Sequence, residues 1–218
     1  TCDGIGISGA NEHSTSVLNS YSKTKKLRAI HSSETQESVR KSKQITGKSE
    51  TLRALSVKPD FLIHMTHASK SDLQAAVKKT RGIVICPRAN SSLAEGIPDI
   101  QKMENAGCLL ALGTDNVMIN SPDMFREMDF LWKATMGIKK KRIDPKNILK
   151  MATVNGGKIL KKDIGIIQNK KIADCIFIDK HALDLEPMHN PHASIVHRAS
   201  ESTIKAVMIE GKIVHGKI

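Results

Sequence analysis

Aromatic side chains are scarce in this sequence: its 218 residues include one Trp, one Tyr and four Phe. Nucleic-acid-binding surfaces stack bases on aromatic rings, and few rings are available here. Lys and Arg outnumber Asp and Glu by 34 to 22, but the excess is dispersed along the chain. We therefore interpret the net charge of +12 as a basic, solvated surface that favours an anionic environment, and we expect no nucleic-acid partner.

Paired cysteines and long apolar runs are also missing. The four cysteines, at positions 2, 86, 108 and 175, form no Cys-x-x-Cys motif. This spacing argues against a disulfide framework and favours a reducing, cytoplasmic location. No apolar run approaches the roughly 20 residues that cross a bilayer, so we expect no membrane partner.

The sequence does contain a series of short apolar segments, most of them followed by a helical pattern. The segments at 4–8, 27–31, 61–64, 82–86 and 109–113 are predicted strands. Helices are predicted near 14–25, 35–55, 70–80, 99–106, 122–137 and 145–157, with a loop after the fourth strand. Alternation of strand and helix indicates an α/β fold with a parallel sheet covered by helices.

The pattern changes near residue 163. Four short strands are predicted beyond it, at 164–168, 173–178, 203–209 and 212–215, with Glu210-Gly211 as the turn of a hairpin. A Pro-bounded loop containing His189 and His192 is predicted between the second and third of them. We therefore predict two units, residues 1–163 and a small β appendage formed by residues 164–218.

The fifth strand of the first unit ends in an acid. Leu109-Leu110-Ala111-Leu112 is typical of a strand buried on both faces, and Gly113-Thr114 leads from it into Asp115. Parallel α/β sheets carry their chemistry at the carboxyl ends of their strands, which favours a functional Asp115. The alternative is that Asp115 caps a following helix.

Other strands end in residues of the same kind. His31 ends the second strand with Glu34 three residues later, and His64 ends the third with His67 three residues later. A lone His at a strand end is commonly structural, but all of these side chains should converge with Asp115 at one face. His and Asp together suit zinc or iron(II), and a nearby Glu can move protons beside such a metal.

Several motifs, taken in order, resemble the amidohydrolase superfamily. They are His31-Ser32-Ser33-Glu34-Thr35, Leu62-Ile63-His64-Met65-Thr66-His67, Cys86-Pro87-Arg88-Ala89-Asn90, Gly96-Ile97-Pro98, Leu112-Gly113-Thr114-Asp115, Ala152-Thr153-Val154-Asn155-Gly156-Gly157 and residues 172–179. The sequence is most similar to the aminohydrolase and chlorohydrolase branch, which includes guanine, cytosine and S-adenosylhomocysteine deaminases. The resemblance extends over nearly the whole chain.

The resemblance implies a (β/α)₈ TIM barrel holding one divalent metal, with zinc favoured and iron(II) the alternative. His31 and Asp115 would be metal ligands, and Asp115 would also take a proton from the water on the metal. Glu34 would carry protons between water and the leaving amine. His64 would hydrogen-bond the attacking water or polarise the substrate.

Four further residues are candidates for binding the substrate. Asn11 and His13 lie in the loop after the first strand, where deaminases of adenosine derivatives carry a Pro-His-Ser motif that this sequence lacks. His67 either meets the substrate or supports its loop. Asn90 is expected to order the loop after the fourth strand, and Cys86 to pack as a buried thiol.

The sequence departs from the family in two ways. It has no His-x-His pair, which in the family supplies two more metal ligands from the first barrel strand, and it has five barrel strands where closure needs eight. We therefore expect this chain, which opens on Thr1, to be the part of a longer protein that carries strands four to eight and a β-sandwich segment. Expressed alone, it should be poorly soluble and bind metal weakly, because an open parallel sheet exposes an edge and apolar surface.

Three functions remain open on the sequence. The leading hypothesis is hydrolytic deamination of a small purine, pyrimidine or triazine base by an activated water. An amide or cyclic-amide hydrolase on the same scaffold is the second hypothesis, and a catalytically silent binding protein is the third. The resemblance also implies a homodimer as the candidate assembly.

Overall fold

A computed structural model describes residues 2–218, so Thr1 of the first predicted unit lies outside the described residues. Its larger sheet has five parallel strands in chain order, each hydrogen-bonded to the next. They are β1 (Gly4–Ile7), β2 (Leu27–Ser32), β3 (Phe61–His64), β4 (Ile83–Ile85) and β5 (Leu110–Leu112). All five strands predicted for this sheet are confirmed.

Helices connect the strands and cover the sheet. They are α1 (Thr15–Tyr21), α2 (Gln36–Thr46), α3 (Glu50–Ala54), α4 (Lys70–Lys79), α5 (Pro87–Ser92), α6 (Ile100–Asn105), α7 (Met124–Lys133), α8 (Pro145–Met151), α9 (Val154–Leu160) and α10 (Pro191–Arg198). Most begin at a Ser, Thr, Asp or Asn whose side chain accepts a hydrogen bond from the first turn; Ser69 and Asp72 form a reciprocal capping box at α4. The starting points of these helices are therefore set by local sequence.

The hydrophobic core lies between the sheet and its helices. Fully buried side chains from the strands, such as Ile30, Leu62 and Ile83, pack with Leu73 of α4 and Leu131 of α7. Burial of one such side chain contributes roughly 1.5–3 kcal/mol to folding. The continuous apolar runs of these strands are explained by helices that leave little of the sheet exposed.

Three predicted segments of the first unit differ in the structure. The single helix predicted over 35–55 is wrong, because Gly47 adopts a left-handed φ of 68° and ends α2 before α3 begins. The loop predicted after the fourth strand contains α5, which starts at Pro87, a residue suited to a first helical turn. The helix predicted over 145–157 is divided at Thr153 into α8 and α9.

A second, antiparallel sheet lies in the C-terminal part of the chain. It consists of β6 (Cys175–Ile178), β7 (Ile204–Ile209) and β8 (Lys212–Gly216), in that order. The hairpin between β7 and β8 is confirmed: Glu210 and Gly211 both have positive φ, as a two-residue type I′ turn requires. We name these three strands the C-terminal sheet.

Two predictions for this part are wrong. Residues 164–168 form no strand, and no described segment pairs with them. The loop predicted around His189 and His192 contains α10, which starts after Asn190 and packs on α7 and α8. Its Val196 is 1% exposed and belongs to the main core.

Candidate active site

Four of the predicted site residues meet at the carboxyl ends of the parallel strands. His31 is the second-last residue of β2, and Glu34 lies two residues after the end of that strand. His64 ends β3, and Asp115 follows β5. We call residues 31–34, 64–65 and 115 the carboxyl edge. The His64 side chain is 0% exposed, whereas those of Glu34 and Asp115 are 24% and 13% exposed. The site is therefore buried on one side and open on the other.

His64 is the centre of this arrangement. Its Nε2 lies 3.5 Å from Oε2 of Glu34 and 3.8 Å from Oδ2 of Asp115. The ring of His31 meets the His64 ring edge-on, with centroids 4.9 Å apart. Two imidazoles and two carboxylates thus face one another, as the strand-end pattern predicted.

The backbone of the carboxyl edge is strained. Ser33, His64, Met65 and Asp115 have φ values of 49°, 69°, 57° and 60°, in the left-handed region that side chains with a Cβ disfavour. Each such residue costs about 1–3 kcal/mol and persists only where its surroundings hold it. The strain turns side chains at the strand ends away from the regular alternation of a strand.

Asn90 of α5 holds the far side of the His64 ring. Asn90 is 0% exposed, and its Oδ1 lies 3.4 Å from Nδ1 of His64. When Oδ1 of Asn90 accepts a hydrogen bond from the Nδ1–H group, Nε2 keeps a lone pair directed at the carboxylates. Among the described residues, this buried Nε2 has no hydrogen-bond partner of its own.

Burial shifts the protonation of these groups. It lowers the pKa of both His31 and His64, and in His31 the charge of His64 lowers the pKa further. It raises the pKa of Glu34, and the charge of nearby Asp115 raises it further. The histidines are therefore held neutral, as metal binding requires, and the Glu34 carboxyl is better able to carry a proton.

The donor set fits a divalent transition metal. Potential ligand atoms of His31, Glu34 and His64 lie within 4.8 Å of one another, and so do those of His64, Cys86 and Asp115. Neutral imidazole nitrogen and carboxylate oxygen are donors that zinc and iron(II) accept. Within residues 2–218, neither of these two groups contains both His31 and Asp115, the two predicted ligands.

The predicted substrate-binding residues occupy different environments. Asn11 lines a cavity of about 240 Å³ beside His31 and Glu34, although its amide is already bonded to the Ser38 carbonyl and to Arg53. His13 is absent from that cavity lining and packs edge-on against Tyr21, with centroids 5.6 Å apart.

His67 has a partner in the loop after α5. Its Nε2 lies 2.7 Å from the carbonyl oxygen of Glu95, and the amide of Glu95 donates to the carbonyl of Asn90. These contacts support the loop, which is the alternative that the sequence left open for His67. Whether His67 also touches substrate stays a prediction, as do the roles of Asn11, His13 and Asn90.

Sequence reasoning missed two buried acids near the carboxyl edge. Glu50, 4% exposed, accepts a hydrogen bond from the backbone of Ser33. Glu127, 0% exposed, accepts hydrogen bonds from the backbone and guanidinium of Arg88, and burial raises its pKa to about 7. An acid on a helix usually indicates a solvated face, so no local signal distinguishes these two from surface residues.

Comparison with known families gives a match over almost the whole chain. The sequence profile described as the amidohydrolase family matches residues 12–214. A protein of Methanothermobacter thermautotrophicus, provisionally named an aminohydrolase, is 36% identical over 216 residues, or 97% of this chain and 54% of that protein. A 5-methylthioadenosine/S-adenosylhomocysteine deaminase of Thermococcus sibiricus is 32% identical over 92% of this chain and 49% of its own length. The chain thus spans about half the length of the curated relatives it matches.

Solved structures share the fold. A zinc-bound adenosine deaminase of Xanthomonas campestris superposes with a TM-score of 0.89 at 22% identity, covering 96% of this chain and 51% of that one. The mixed α/β arrangement of parallel sheet and covering helices is therefore that of known amidohydrolase structures.

Proposed function

The chain belongs to the amidohydrolase family, and we propose that the protein carrying it is a metal-dependent hydrolase that deaminates a small cyclic amidine, a purine, pyrimidine or triazine base. One observation carries the proposal: His31, Glu34, His64 and Asp115 converge at one sheet edge. The relative from Methanopyrus kandleri is named a 5'-deoxyadenosine deaminase. This name and that of the relative from Thermococcus sibiricus favour a purine base, carried by a nucleoside, as the substrate.

In this proposal His31 and Asp115 hold the metal, with zinc favoured over iron(II). Such an ion would act as a Lewis acid that makes water a nucleophile at neutral pH. Neutral His31 offers a nitrogen lone pair, and Asp115 offers a carboxylate oxygen at a position fixed by its left-handed backbone.

Glu34 moves the proton. Its carboxylate accepts a proton from the attacking water as oxygen adds to the amidine carbon, and then delivers it to the exocyclic nitrogen, so that the carbon–nitrogen bond breaks and ammonia leaves. The raised pKa of Glu34 suits both steps, because it makes the carboxylate a stronger base toward the attacking water and lets the carboxyl group hold the proton until it is delivered. His64, oriented by Asn90, hydrogen-bonds the attacking oxygen through Nε2.

The same proposal assigns the architecture. The five parallel strands correspond to strands four to eight of a (β/α)₈ barrel, and the C-terminal sheet to a β-sandwich segment, with the boundary near residue 163. Four residues would contact the substrate or order the loops around it: Asn11, His13, His67 and Asn90. The candidate assembly is a homodimer. The five-strand order and the match to about half of each relative support this assignment.

Ammonia release tests the reaction. The whole natural protein, loaded with zinc, should release ammonia from at least one of adenosine, 5-methylthioadenosine, guanine, cytosine or an aminotriazine, and Asp115→Asn should abolish both release and stoichiometric zinc. Asn tolerates a positive φ, so this variant keeps the fold. Hydrolysis of a cyclic amide without ammonia release, or wild-type zinc content in Asp115→Asn, would contradict the proposal.

A further inference from the structure

A buried carboxylate lies beside the carboxyl edge, in the lining of the cavity next to His31 and Glu34. Glu50, the first residue of α3, is 4% exposed. It accepts hydrogen bonds from the Ser33 backbone N–H at 2.8 Å, the Ser38 hydroxyl at 2.7 Å and the Asn11 amide at 3.3 Å. Burial of a carboxylate is costly unless it is hydrogen-bonded, so this site is built around the charge.

The first of these bonds reaches the segment that carries the chemistry. Ser33 lies between His31 and Glu34, and its φ of 49° turns the chain where the strand ends. A left-handed residue with a side chain persists only if its neighbours fix it. The bond from Ser33 N–H to Glu50 fixes the peptide that joins the two site residues.

The next residue of α3 adds a second attachment. Thr51 is fully buried, and its hydroxyl lies 2.9 Å from the Ser33 hydroxyl and 3.1 Å from that of Ser32. The same hydroxyl lies 3.6 Å from Sδ of Met65, the residue after His64. Thr51 therefore links the ends of β2 and β3.

We propose that Glu50, with Thr51 beside it, is a positioning residue. Its carboxylate holds the Ser33 peptide in place, so that the side chains of His31 and Glu34 face the His64 ring. The proposal rests on the function proposed above. Glu50 acts through Ser33 and takes no proton in the reaction. In the described structure, the Glu50 carboxylate accepts its side-chain hydrogen bonds from Ser33, Ser38 and Asn11.

Two substitutions at Glu50 separate charge from geometry. In Glu50→Gln the amide oxygen still accepts from Ser33 and Ser38, so kcat should stay within about threefold of wild type. Glu50→Leu removes the acceptor; displacement of the segment should lower kcat by about 10²-fold while KM changes less than about threefold. Equal losses in both variants, or a loss confined to KM, would overturn the proposal.

If Glu50→Leu does not fold, two less disruptive substitutions on α2 provide the test. Ser38→Ala removes a hydroxyl that contacts Glu50 and the Thr35 carbonyl, and Ser42→Ala removes a buried hydroxyl that bonds the Lys48 carbonyl. Each variant loses one hydroxyl donor from the same helix, so unfolding stability should fall by a similar amount, about 1 kcal/mol. Only Ser38→Ala should lower kcat, by severalfold, and equal kcat values in the two variants would overturn the proposal.

Amide hydrogen exchange provides a readout that needs no activity. In the whole protein, exchange at Ser33 should be faster in Ser38→Ala and Glu50→Leu than in wild type, and unchanged in Ser42→Ala. If the wild type released no ammonia but Ser33 exchange still rose, the positioning would stand and the proposed function would fail. If Ser33 exchange did not change in Glu50→Leu, the positioning role would be wrong whatever the activity.

Discussion

The carboxyl edge and the C-terminal sheet use β-structure in opposite ways. At the carboxyl edge, strained residues lie at or just after the ends of buried strands, and β5 is buried at all three positions. In the C-terminal sheet, β8 is exposed at all five positions, and Ile213 and Val214 are 43% and 59% exposed. Left-handed residues occur in both regions, since Glu210 in the exposed hairpin turn is one of them, but at the carboxyl edge they are buried or half-buried beside titratable side chains.

The largest expected difference between the regions is in catalysis. In the whole protein, Glu34→Gln should lower kcat/KM by about 10²–10⁴-fold, because the amide cannot carry a proton. The matched change Glu201→Gln, next to the C-terminal sheet, should leave kcat/KM unchanged. Steady-state ammonia release measures both. Equal losses of kcat/KM in the two variants would show that catalysis does not depend specifically on Glu34.

Core substitutions should separate the two regions in stability. Leu110→Ala in β5 should lower the free energy of unfolding by about 2–5 kcal/mol, since Leu110 is 2% exposed and a cavity would remain. Ile213→Ala in β8 should cost less than about 1 kcal/mol, because Ile213 is already 43% exposed. Denaturant unfolding of the whole protein measures both. Similar losses would show that the C-terminal sheet is covered by something beyond the described residues.

A pH-dependent contribution to stability should come from Glu127, whose pKa burial raises to about 7. A raised carboxyl pKa means that the folded state holds a proton that the unfolded chain has lost. This contribution is therefore full below about pH 4.5 and is lost as the pH rises to about 7, on the order of 1–3 kcal/mol.

Glu127→Gln should remove this pH dependence. The stability of wild type relative to the variant should fall between about pH 4.5 and pH 7, and Glu201→Gln provides the exposed control. A wild-type-minus-variant difference that is flat over this range would show that Arg88 keeps Glu127 ionised throughout.

The smallest effect concerns backbone strain alone. Glu210 and Asp115 are both left-handed, with φ of 50° and 60°. In the metal-free protein, replacement of either by Gly should raise the unfolding free energy by about 0.5–1 kcal/mol, because Gly adopts this conformation without a Cβ clash. Only Asp115→Gly should abolish ammonia release. A thermal unfolding series would detect the gain, and a loss of stability in Glu210→Gly would mean that its side chain stabilises the hairpin.

Much of the fold follows from local sequence. Runs such as Leu109–Leu112 predict buried strands, and residues placed just after them, His64 and Asp115 among them, are brought together because parallel strands share an edge. The missed features depend on distant partners. Residues 164–168 have a strand-like composition but pair with no strand among residues 2–218, and α10 begins at Pro191, a residue type that favoured a loop.

The site shows the same limit. His31, Glu34 and His64 are predictable from their positions at strand ends, and the structure brings them together. Glu50 is not predictable in this way, because its role depends on a contact with Ser33 across 17 residues of chain. Whether His13 or His67 meets the substrate depends on surfaces that local patterns do not describe.

The chain-order pairing of the parallel strands has a consequence for folding. Each strand pairs with the one before it across a short stretch of sequence, as in Ile5 with Arg28 and Leu62 with Ile83. Parallel pairing is slower than local helix formation, but each strand can dock as soon as its predecessor is in place, in the order in which the chain is synthesised. Among residues 4–112, each strand from β2 onward pairs with the strand before it, and no later strand is inserted between the two. Asp115 therefore reaches the site last, and the carboxyl edge is complete only once β5 has docked.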